Sequence, residues 1–396
     1  MQKTNWRKNI NIFLMTTVLQ WFYIPIGVWV FIWRQYFSWE QIGTIQAVGL
    51  FLQLVLELPS GAIADMIGRK MTVVVGRVMG VAGFFLMAFT HSFWPFLIGN
   101  SLYLANWAFE SGALDALVYD SLKENGQEKK YFQDIQAKSF LYATIGMAAA
   151  SIIGGYIYRY GTQLPYLATA IVSVGALISA LWLEEPKLDS IKVNFRSYLR
   201  QNWDGLTHVF RYPLIRSISI FSILINFIAY VGLWYLYEPR LVEGGFHAEW
   251  MGYLVAGTYL IRALGTKLIP YAMKLGDRQI PGFLAITQMV GSGLSFLEGK
   301  VGAITSVYAR KMNDGFRVPI LARLQNDEIE SKYRATSLSA ISLLGNVLIS
   351  AVGPLVGYSI DHYSARLTLG MCFFLGLFLV LPSAIMLANQ TSADRS

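Results

Sequence analysis

The sequence predicts an all-α integral membrane protein with twelve transmembrane helices in two pseudo-symmetric six-helix bundles. Three observations lead to this fold class: a composition suited to lipid, twelve long apolar runs, and an uneven distribution of basic residues along the chain. Of the 396 residues, 55% are hydrophobic and only 14% are charged, whereas soluble domains carry about 25% charged residues. We therefore expect the protein to lie in a lipid bilayer.

A helix needs about 20 apolar residues to cross the hydrocarbon of a bilayer. Twelve runs of this kind, called spans 1 to 12 here, occur in the sequence. They are Ile10–Trp33, Gly43–Ile63, Met71–Thr90, Phe93–Tyr119, Ile135–Tyr158, Leu164–Leu183, Leu214–Tyr237, Trp250–Met273, Ile280–Leu297, Val301–Leu324, Ala335–Ile360 and Leu367–Leu387. Spans 4, 9 and 10 contain enough polar residues that hydropathy alone identifies them weakly.

The basic residues indicate the orientation. With both termini in the cytoplasm, 22 of the 32 Lys and Arg residues fall on the cytoplasmic side, five on the outer side and five inside spans. This asymmetry follows the positive-inside rule and predicts a multi-pass protein of a cell membrane, bacterial inner or plasma membrane, with both termini cytoplasmic. It also accounts for the net charge of +8 without a nucleic-acid partner. The single cysteine, Cys372, excludes an internal disulfide and a cysteine-based metal site.

The chain is expected to divide into three parts. Residues 1–183 form an N-terminal six-helix bundle, 184–213 a cytoplasmic amphipathic linker, and 214–396 a C-terminal six-helix bundle. The linker is basic with interleaved aromatic residues, which suits either an amphipathic helix on an anionic leaflet or a disordered connection. Gly112 and Gly315 lie 203 residues apart, and glycine-rich segments of spans 5 and 11 share that offset. The shared offset indicates an internal duplication.

One loop carries the most informative motif. Between spans 2 and 3 the pattern G-x-x-x-D-x-x-G-R-K is formed by Gly61, Asp65, Gly68, Arg69 and Lys70. Gly61 permits the close approach of another helix, and Gly68 permits a tight turn. Asp65 and Arg69 are four residues apart, close enough to pair on one helical turn. Alternatively, Arg69 and Lys70 only anchor the loop to phospholipid.

This pattern resembles motif A, the loop between helices 2 and 3 of major facilitator superfamily transporters, and the resemblance covers the whole chain. It implies the MFS fold and secondary active transport by alternating access. It also implies a conformational latch at the cytoplasmic face, in which the motif acts with a carboxylate at the inner end of span 4, here Asp120. Residues 275–278 resemble a degraded second copy. The chain departs from the drug-antiporter subgroup at Ala108 and at residues 150–151, where that subgroup has Arg and Gly-Pro.

The resemblance further implies that spans 1, 4, 7 and 10 line a central cavity. Polar and aromatic residues at helical spacing on these spans are the candidate substrate-binding residues. They are Gln20, Tyr23, Asn100, Tyr103, Trp107, Asn226, Tyr230, Trp234, Arg310, Asn313, Asp314 and Arg317.

Glu110 in span 4 is the first candidate for proton coupling. An ionised side chain at mid-membrane costs about 2.5–3.5 kcal/mol, so this carboxylate should face water or a partner. A proton and a cation can compete for one buried carboxylate. The alternative is a structural ion pair with Arg310 or Arg317.

Two further carboxylates are candidates for proton coupling. Asp115 lies far round the helix from Glu110, so that it also suits a contact between helices. Glu57 precedes the motif and alternatively pairs with a cation near the inner face. Arg77 and Arg262, inside spans 3 and 8, are interpreted as structural or snorkelling residues.

The leading functional hypothesis is proton-coupled export of an amphipathic or aromatic small molecule, because Trp and Tyr line the candidate cavity. The alternative is proton- or ion-coupled uptake of a small polar or anionic solute held by Arg310 and Arg317. A lipid flippase or a receptor on the same fold is a further alternative. No catalytic constellation, nucleotide motif or metal-ligand cluster occurs in the sequence, so neither an enzyme nor a cofactor is expected. The expected partners are a small-molecule substrate, a coupling proton or ion and the bilayer, with the protein as a monomer.

Overall fold

The computed structural model describes residues 4–186, 207, 209–329 and 333–393, and every regular element within these ranges is helical. The α-helices of the first half are α1 (Trp6–Trp21), α2 (Trp29–Trp33), α3 (Trp39–Ile67), α4 (Arg69–Phe89), α5 (Phe93–Glu110), α6 (Ala113–Glu124), α7 (Glu128–Ile157) and α8 (Leu164–Leu181). Those of the second half are α9 (Pro213–Val231), α10 (Tyr237–Glu243), α11 (Ala248–Gly265), α12 (Ile269–Ala272), α13 (Ile280–Gly293), α14 (Gly299–Glu328), α15 (Arg334–His362), α16 (Ala365–Leu375) and α17 (Leu381–Ala393).

The helices agree with an all-α membrane architecture. Within the described ranges, seven helical segments are long and apolar enough to cross a bilayer, or eight if the bent pair Trp39–Glu57 and Pro59–Ile67 forms one span. These segments correspond to predicted spans 1 to 3, 5 to 7, 11 and 12. Spans 4 and 10 are helical but more polar, as the sequence indicated, whereas the helix of span 9, Ile280–Phe296, is apolar but shorter. Span 8 is also not among these segments, and a 3-10 turn at Thr266–Leu268 interrupts it.

Several spans are interrupted where the sequence predicted one continuous helix, among them spans 1, 4 and 7. Span 1 contains a 3-10 turn, Ile24–Gly27, with Pro25 near its start, where the missing N–H costs no hydrogen bond. Span 4 breaks between Glu110, the last residue of α5, and Ala113, the first of α6. Span 7 contains a π-helical turn, Gly232–Leu236, an irregularity that is frequent at functional sites.

The chain folds into two compact units. Unit 1 contains residues 4–37, 45–186 and 248–256, and unit 2 contains the other described residues. The bundle boundaries predicted from sequence stay a prediction, and most of the predicted amphipathic linker, residues 187–206 and 208, lies outside the described ranges.

Close packing of small residues organises unit 1. Helix α4 packs mainly against α5 and α8. A Cβ atom added to Gly83 of α4 would lie 2.6 Å from the carbonyl oxygen of Gly99 in α5, so only glycine allows the two backbones to approach this closely. This contact determines which side chains of α4 and α5 face each other. In unit 2, α9 packs against α15 and α17, and α13 packs against α14.

Gly68 shapes the turn between α3 and α4. Its φ of +90° and ψ of 153° belong to a backbone region that is essentially restricted to glycine. A Cβ atom here would lie 3.2 Å from the carboxyl carbon of Glu185. The turn predicted at this glycine is therefore present, and the end of unit 1 that carries it is called the Gly68 end below.

We expect Gly68→Ala to lower the free energy of unfolding by about 1–3 kcal/mol, the cost of a strained backbone conformation. Gly61→Ala is the matched control, because Gly61 lies inside α3 and no described atom outside its own helical neighbourhood is within 4 Å of its added Cβ. The close approach of another helix that the sequence predicted at Gly61 is therefore not found among the described residues. In a helix the control should be neutral or stabilising by up to about 1 kcal/mol. Thermal unfolding in one detergent measures both, and an unchanged Gly68→Ala protein would contradict the assignment.

Candidate functional site

A buried ion pair lies at the centre of unit 1. Arg77, in the middle of α4, forms a salt bridge with Glu110 at the end of α5. The two residues are 1% and 7% exposed. The same guanidinium nitrogen lies 3.3 Å from the hydroxyl of Thr16 in α1. The α4–α5 packing and the break after Glu110 therefore bring a cation and a carboxylate together away from solvent.

The pair is incompletely satisfied. Arg77 Nε, Arg77 Nη1 and Glu110 Oε2 are buried and have no hydrogen-bond partner within the described ranges. A buried charge is stable only while its partner stays charged, because each ion loses its hydration on burial. Protonating or displacing Glu110 would thus leave Arg77 without compensation.

The sequence indicated Arg77 only as a structural or snorkelling residue and did not pair it with Glu110. Arg310 and Arg317, the predicted alternative partners of Glu110, both lie in unit 2, and Glu110 pairs with Arg77 inside unit 1. Arg77 is not a snorkelling residue, since it is 1% exposed. Its position in the middle of an apolar run, far from either end, was the available signal.

The other two candidate carboxylates have different surroundings. Asp115, near the start of α6, is exposed and accepts a hydrogen bond from the Gln136 side chain of α7 at 3.0 Å. It therefore lies at a contact between helices. Glu57 in α3 is also exposed. Of the three, only Glu110 is buried.

Aromatic side chains from spans 1 and 4 meet in unit 1. Tyr23 stacks on Tyr103 with ring centroids 5.3 Å apart, and Phe84 lies 4.9 Å from Tyr103. Trp107 contacts Trp21 edge to face at 4.4 Å. Tyr103 and Trp107, which the spacing of span 4 predicts on one face, both contact aromatic side chains of span 1.

Two more candidate substrate-binding residues of unit 1, Asn100 and Gln20, lie outside this aromatic cluster. Asn100 is 3% exposed and donates a hydrogen bond to the carbonyl of Ile45 at 3.2 Å, so it bonds a neighbouring helix. Gln20 is half-buried.

Span 10 supplies the polar centre of unit 2. Arg310 donates hydrogen bonds to the hydroxyls of Tyr237 and Ser292 and to the carbonyl of Ile228. Tyr237 and Ser292 were not among the predicted residues. Tyr230 and Trp234 of span 7 are half-buried.

The second arginine of span 10, Arg317, lies about two turns further along α14. Arg317 bonds the Asp314 carboxylate at 2.8 Å and the Asn226 side chain. Asn313 donates to the Thr287 hydroxyl at 2.7 Å. The structure therefore brings together three of the predicted residues, Asn226, Asp314 and Arg317.

At the Gly68 end, Arg69 forms a salt bridge with Asp120 of α6 and donates to the carbonyl of Ala116 at 2.6 Å. Asp120 thus lies where the resemblance placed it. Asp65 is half-buried in the last turn of α3. Sequence reasoning missed Glu185, whose carboxylate accepts the backbone N–H groups of Arg69 and Lys70, each at 2.7 Å. A carboxylate here satisfies the free N–H groups that begin α4.

The neighbouring carboxylate, Glu184, connects the same end of unit 1 to α1. It accepts hydrogen bonds from Lys8 Nζ at 2.7 Å and from the backbone N–H of Asn5 at 3.1 Å. These donors, Lys8 first, hold the pKa of Glu184 below its ordinary value. Asn9 bonds both the Glu184 backbone and the Ser121 hydroxyl. The segment after α8 is thereby attached to α1, α4 and α6.

Comparison with known proteins decides the family. A family model described as Major Facilitator Superfamily matches residues 11–354. The chain belongs to the Major Facilitator Superfamily. It is accordingly a multi-pass membrane transporter with a small-molecule substrate, and not an enzyme.

Sequence relatives of this superfamily member are distant. It is 23% identical over 391 residues to the uncharacterised MFS-type transporter YxaM of Bacillus subtilis, covering 91% of each chain. It is 22% identical over 325 residues to the inner membrane transport protein YajR of Escherichia coli, covering 79% of this chain and 68% of YajR. A 28% match to the multidrug resistance protein MdtH of Salmonella typhimurium covers 41% of this chain and 40% of MdtH.

Solved structures support the superfamily fold. The nucleoside transporter NupG superposes with a TM-score of 0.76 at 12% identity, covering 96% of this chain and 98% of NupG. A D-xylose–proton symporter superposes with a TM-score of 0.69 at 14% identity, covering 96% and 95%. At these identities the likeness concerns the fold.

The superfamily motif has a charge-reversed counterpart in unit 2. Gly276 has a positive φ of +75°, like Gly68, and the next residue, Asp277, pairs with Arg323 of α14 at 3.2 Å. Arg323 follows Asp120 by 203 residues, the offset that relates the two halves of the sequence. Unit 1 thus places the arginine in the loop and the aspartate on the helix, and unit 2 does the opposite.

We expect Arg77→Met to lower the free energy of unfolding by about 3–5 kcal/mol, because it leaves Glu110 buried and unpaired. Adding Glu110→Leu should recover most of this loss, since an apolar pair can replace a buried ion pair at little cost. Arg159→Met is the control, because that side chain is 48% exposed and should change stability by about 0–1 kcal/mol. Thermal unfolding measures all three, and additive losses in the double variant would show that the residues do not interact.

The lowered pKa of Glu184 predicts a pH dependence. A carboxylate with a depressed folded-state pKa stabilises the protein above its unfolded pKa, about 4.3, and loses that effect as the pH falls through the folded value. The unfolding midpoint of the wild type should therefore exceed that of Glu184→Gln at pH 7, and the gap should shrink as the pH falls below about 4.3. In a Lys8→Met background the gap should be smaller at pH 7. A gap that does not shrink on acidification below about pH 4.3 would rule out this role for the carboxylate.

Proposed function

We propose that this transporter is proton-coupled and exports an amphipathic or aromatic small molecule by alternating access, exposing a bound solute first to one side of the membrane and then to the other. The observation that carries the proposal is the buried Arg77–Glu110 pair of unit 1. Its unpartnered carboxylate oxygen and guanidinium nitrogens could form hydrogen bonds with a further ligand.

The pair provides a physical link between protonation and conformation. While Glu110 is ionised, its charge compensates Arg77. When Glu110 takes up a proton, the guanidinium stays buried without a counter-charge, which is costly in a low-dielectric interior. Protonation therefore favours a rearrangement that gives Arg77 water or another acceptor. A solute that competes for either member of the pair is thereby coupled to the proton.

The surroundings of the pair support an aromatic or amphipathic solute. The rings of Trp21, Tyr23, Tyr103 and Trp107 lie in the same unit, and aromatic faces bind apolar and cationic groups. The description of MdtH as a multidrug resistance protein supports export.

Further parts of the proposal concern the Gly68 end. We assign it to the cytoplasmic face of a bacterial inner or plasma membrane, with both termini on that side and the protein acting as a monomer. The Arg69–Asp120 pair, together with Asp65, Lys70 and Gly61, acts as the conformational latch. The charge-reversed pair of unit 2 performs the same task in the second bundle.

Transport in proteoliposomes tests the coupling. Across a panel of aromatic and amphipathic compounds, an imposed pH gradient should drive at least one against the direction of proton flow. Glu110→Gln should abolish the effect of the gradient but preserve exchange of labelled for unlabelled compound. Glu57→Gln and Asp115→Asn should retain the gradient response, because those carboxylates are exposed.

Two outcomes would overturn parts of this proposal. Movement of the compound in the same direction as the proton would indicate coupled uptake. A wild-type protein that transports at equal rates with and without the gradient would exclude proton coupling.

A further inference from the structure

Unit 2 buries an excess of positive charge on a single helix. Three cations of α14, Arg310, Lys311 and Arg317, are 0%, 8% and 1% exposed. A fourth, Arg262 of α11, is near enough to repel the ammonium of Lys311. An uncompensated charge at the centre of a transmembrane helix raises the free energy of membrane insertion by about 2.5–3.5 kcal/mol.

The carboxylates that face these cations are too few. Asp314 bonds Arg317 at 2.8 Å and, with Glu238 of α10, attracts Lys311. Among the described residues, three α14 cations therefore face two carboxylates, before Arg262 is counted. Buried charges in proteins are ordinarily paired, so an ionised Lys311 leaves this cluster short of one negative charge.

Arg310 is the clearest case. It donates hydrogen bonds to the neutral oxygens of Tyr237, Ser292 and Ile228, and the Asp314 carboxylate attracts it from further away. Its guanidinium lies 5.5 Å from the centre of the Tyr237 ring, and the Lys311 ammonium lies 5.1 Å from the same centre. Two like charges thus share one ring whose quadrupole compensates only part of a charge.

Unpartnered polar atoms accompany the charge excess. Arg317 Nε, Asn313 Oδ1 and both polar side-chain atoms of Gln288 are buried without a hydrogen-bond partner within the described ranges. Gln288 is 1% exposed and lies on α13 between Thr287 and Ser292, the residues that contact Asn313 and Arg310. Guanidinium, ammonium and amide donors are the groups that bind carboxylate and phosphate oxygens. A buried donor left unpaired costs about 1–3 kcal/mol.

We propose that the transported solute carries an anionic group, a carboxylate or a phosphate, which binds among Arg310, Lys311 and Arg317 and supplies the missing negative charge. The inference rests on the proposed transport function, since the anion is taken to be part of the solute. It narrows the substrate class to amphipathic organic acids whose acidic group binds this cluster of unit 2.

Ligand-dependent thermal unfolding of the detergent-purified protein tests the proposal. The probes are matched in shape and differ in charge: 2-naphthoate and 2-naphthyl phosphate as anions, 2-naphthamide as the neutral analogue, and 2-naphthylmethylammonium as the cation. At pH 7 at least one anion should raise the unfolding midpoint in a saturable manner, and the neutral and cationic analogues should not.

Three variants locate the effect. Lys311→Gln and Arg317→Gln should weaken the apparent affinity for the anion about tenfold or more, the loss expected for one charge-assisted hydrogen bond. Lys300→Gln is the matched control, an exposed cation at the start of the same helix, and should bind like the wild type. Gel filtration checks folding, and if Arg317→Gln misfolds, the less deeply buried Lys311→Gln carries the test alone.

The outcomes separate this proposal from the preceding one. The proposal is overturned if the amide or the ammonium compound stabilises the protein as well as the acids, if neither acid does, or if Lys311→Gln binds like the wild type. If the acids bind as expected but an imposed pH gradient does not move them in proteoliposomes, the anion site stands and proton coupling fails. If a gradient drives only neutral or cationic compounds, proton coupling stands and the anion site fails.

Discussion

Burial of ionised side chains in a low-dielectric interior is the constraint on which the rest of this structure depends. Among the described residues of unit 1, the buried charged side chains are Arg77 and Glu110. They pair with each other, and the backbone positions both. Glycines in α4 and α5 allow the helices to approach closely, and the break after Glu110 ends α5 at the carboxylate. Because the pair is nearly dry, the charge state of one residue determines the stability of the other. A site of this kind responds to a proton with a change of structure.

The two units meet the same constraint differently. At the 203-residue offset, Glu110 corresponds to Asn313, Trp107 to Arg310 and Leu114 to Arg317. Where unit 1 has a carboxylate, an indole and an aliphatic side chain, unit 2 has an amide and two guanidinium groups. Unit 1 therefore carries a neutral ion pair, and unit 2 carries a net positive cluster.

The loop motif shows which features of the duplication persist. Gly68 and Gly276 both have a positive φ, and each is followed by a residue that pairs with a helix of the same unit. The charges of the two pairs are exchanged, Arg69 with Asp120 and Asp277 with Arg323. The attraction between opposite charges does not depend on which element carries which sign. A salt bridge between the loop and the helix is therefore present in both units.

The sequence by itself determined the features that depend on local composition. Hydropathy predicted the membrane spans, and the motif predicted the glycine turn at Gly68. The spacing suggested Asp65 as the partner of Arg69, whereas Asp120, with which Arg69 pairs, was implied only by the family resemblance. Helical spacing placed Tyr103 and Trp107 on one face. The partners of the buried charges were decided only by the tertiary structure, because they depend on how far each helix is rotated and how closely it packs. Arg77 and Tyr237 could therefore be assigned to the site only from the packing of α4 on α5 and of α10 on α14.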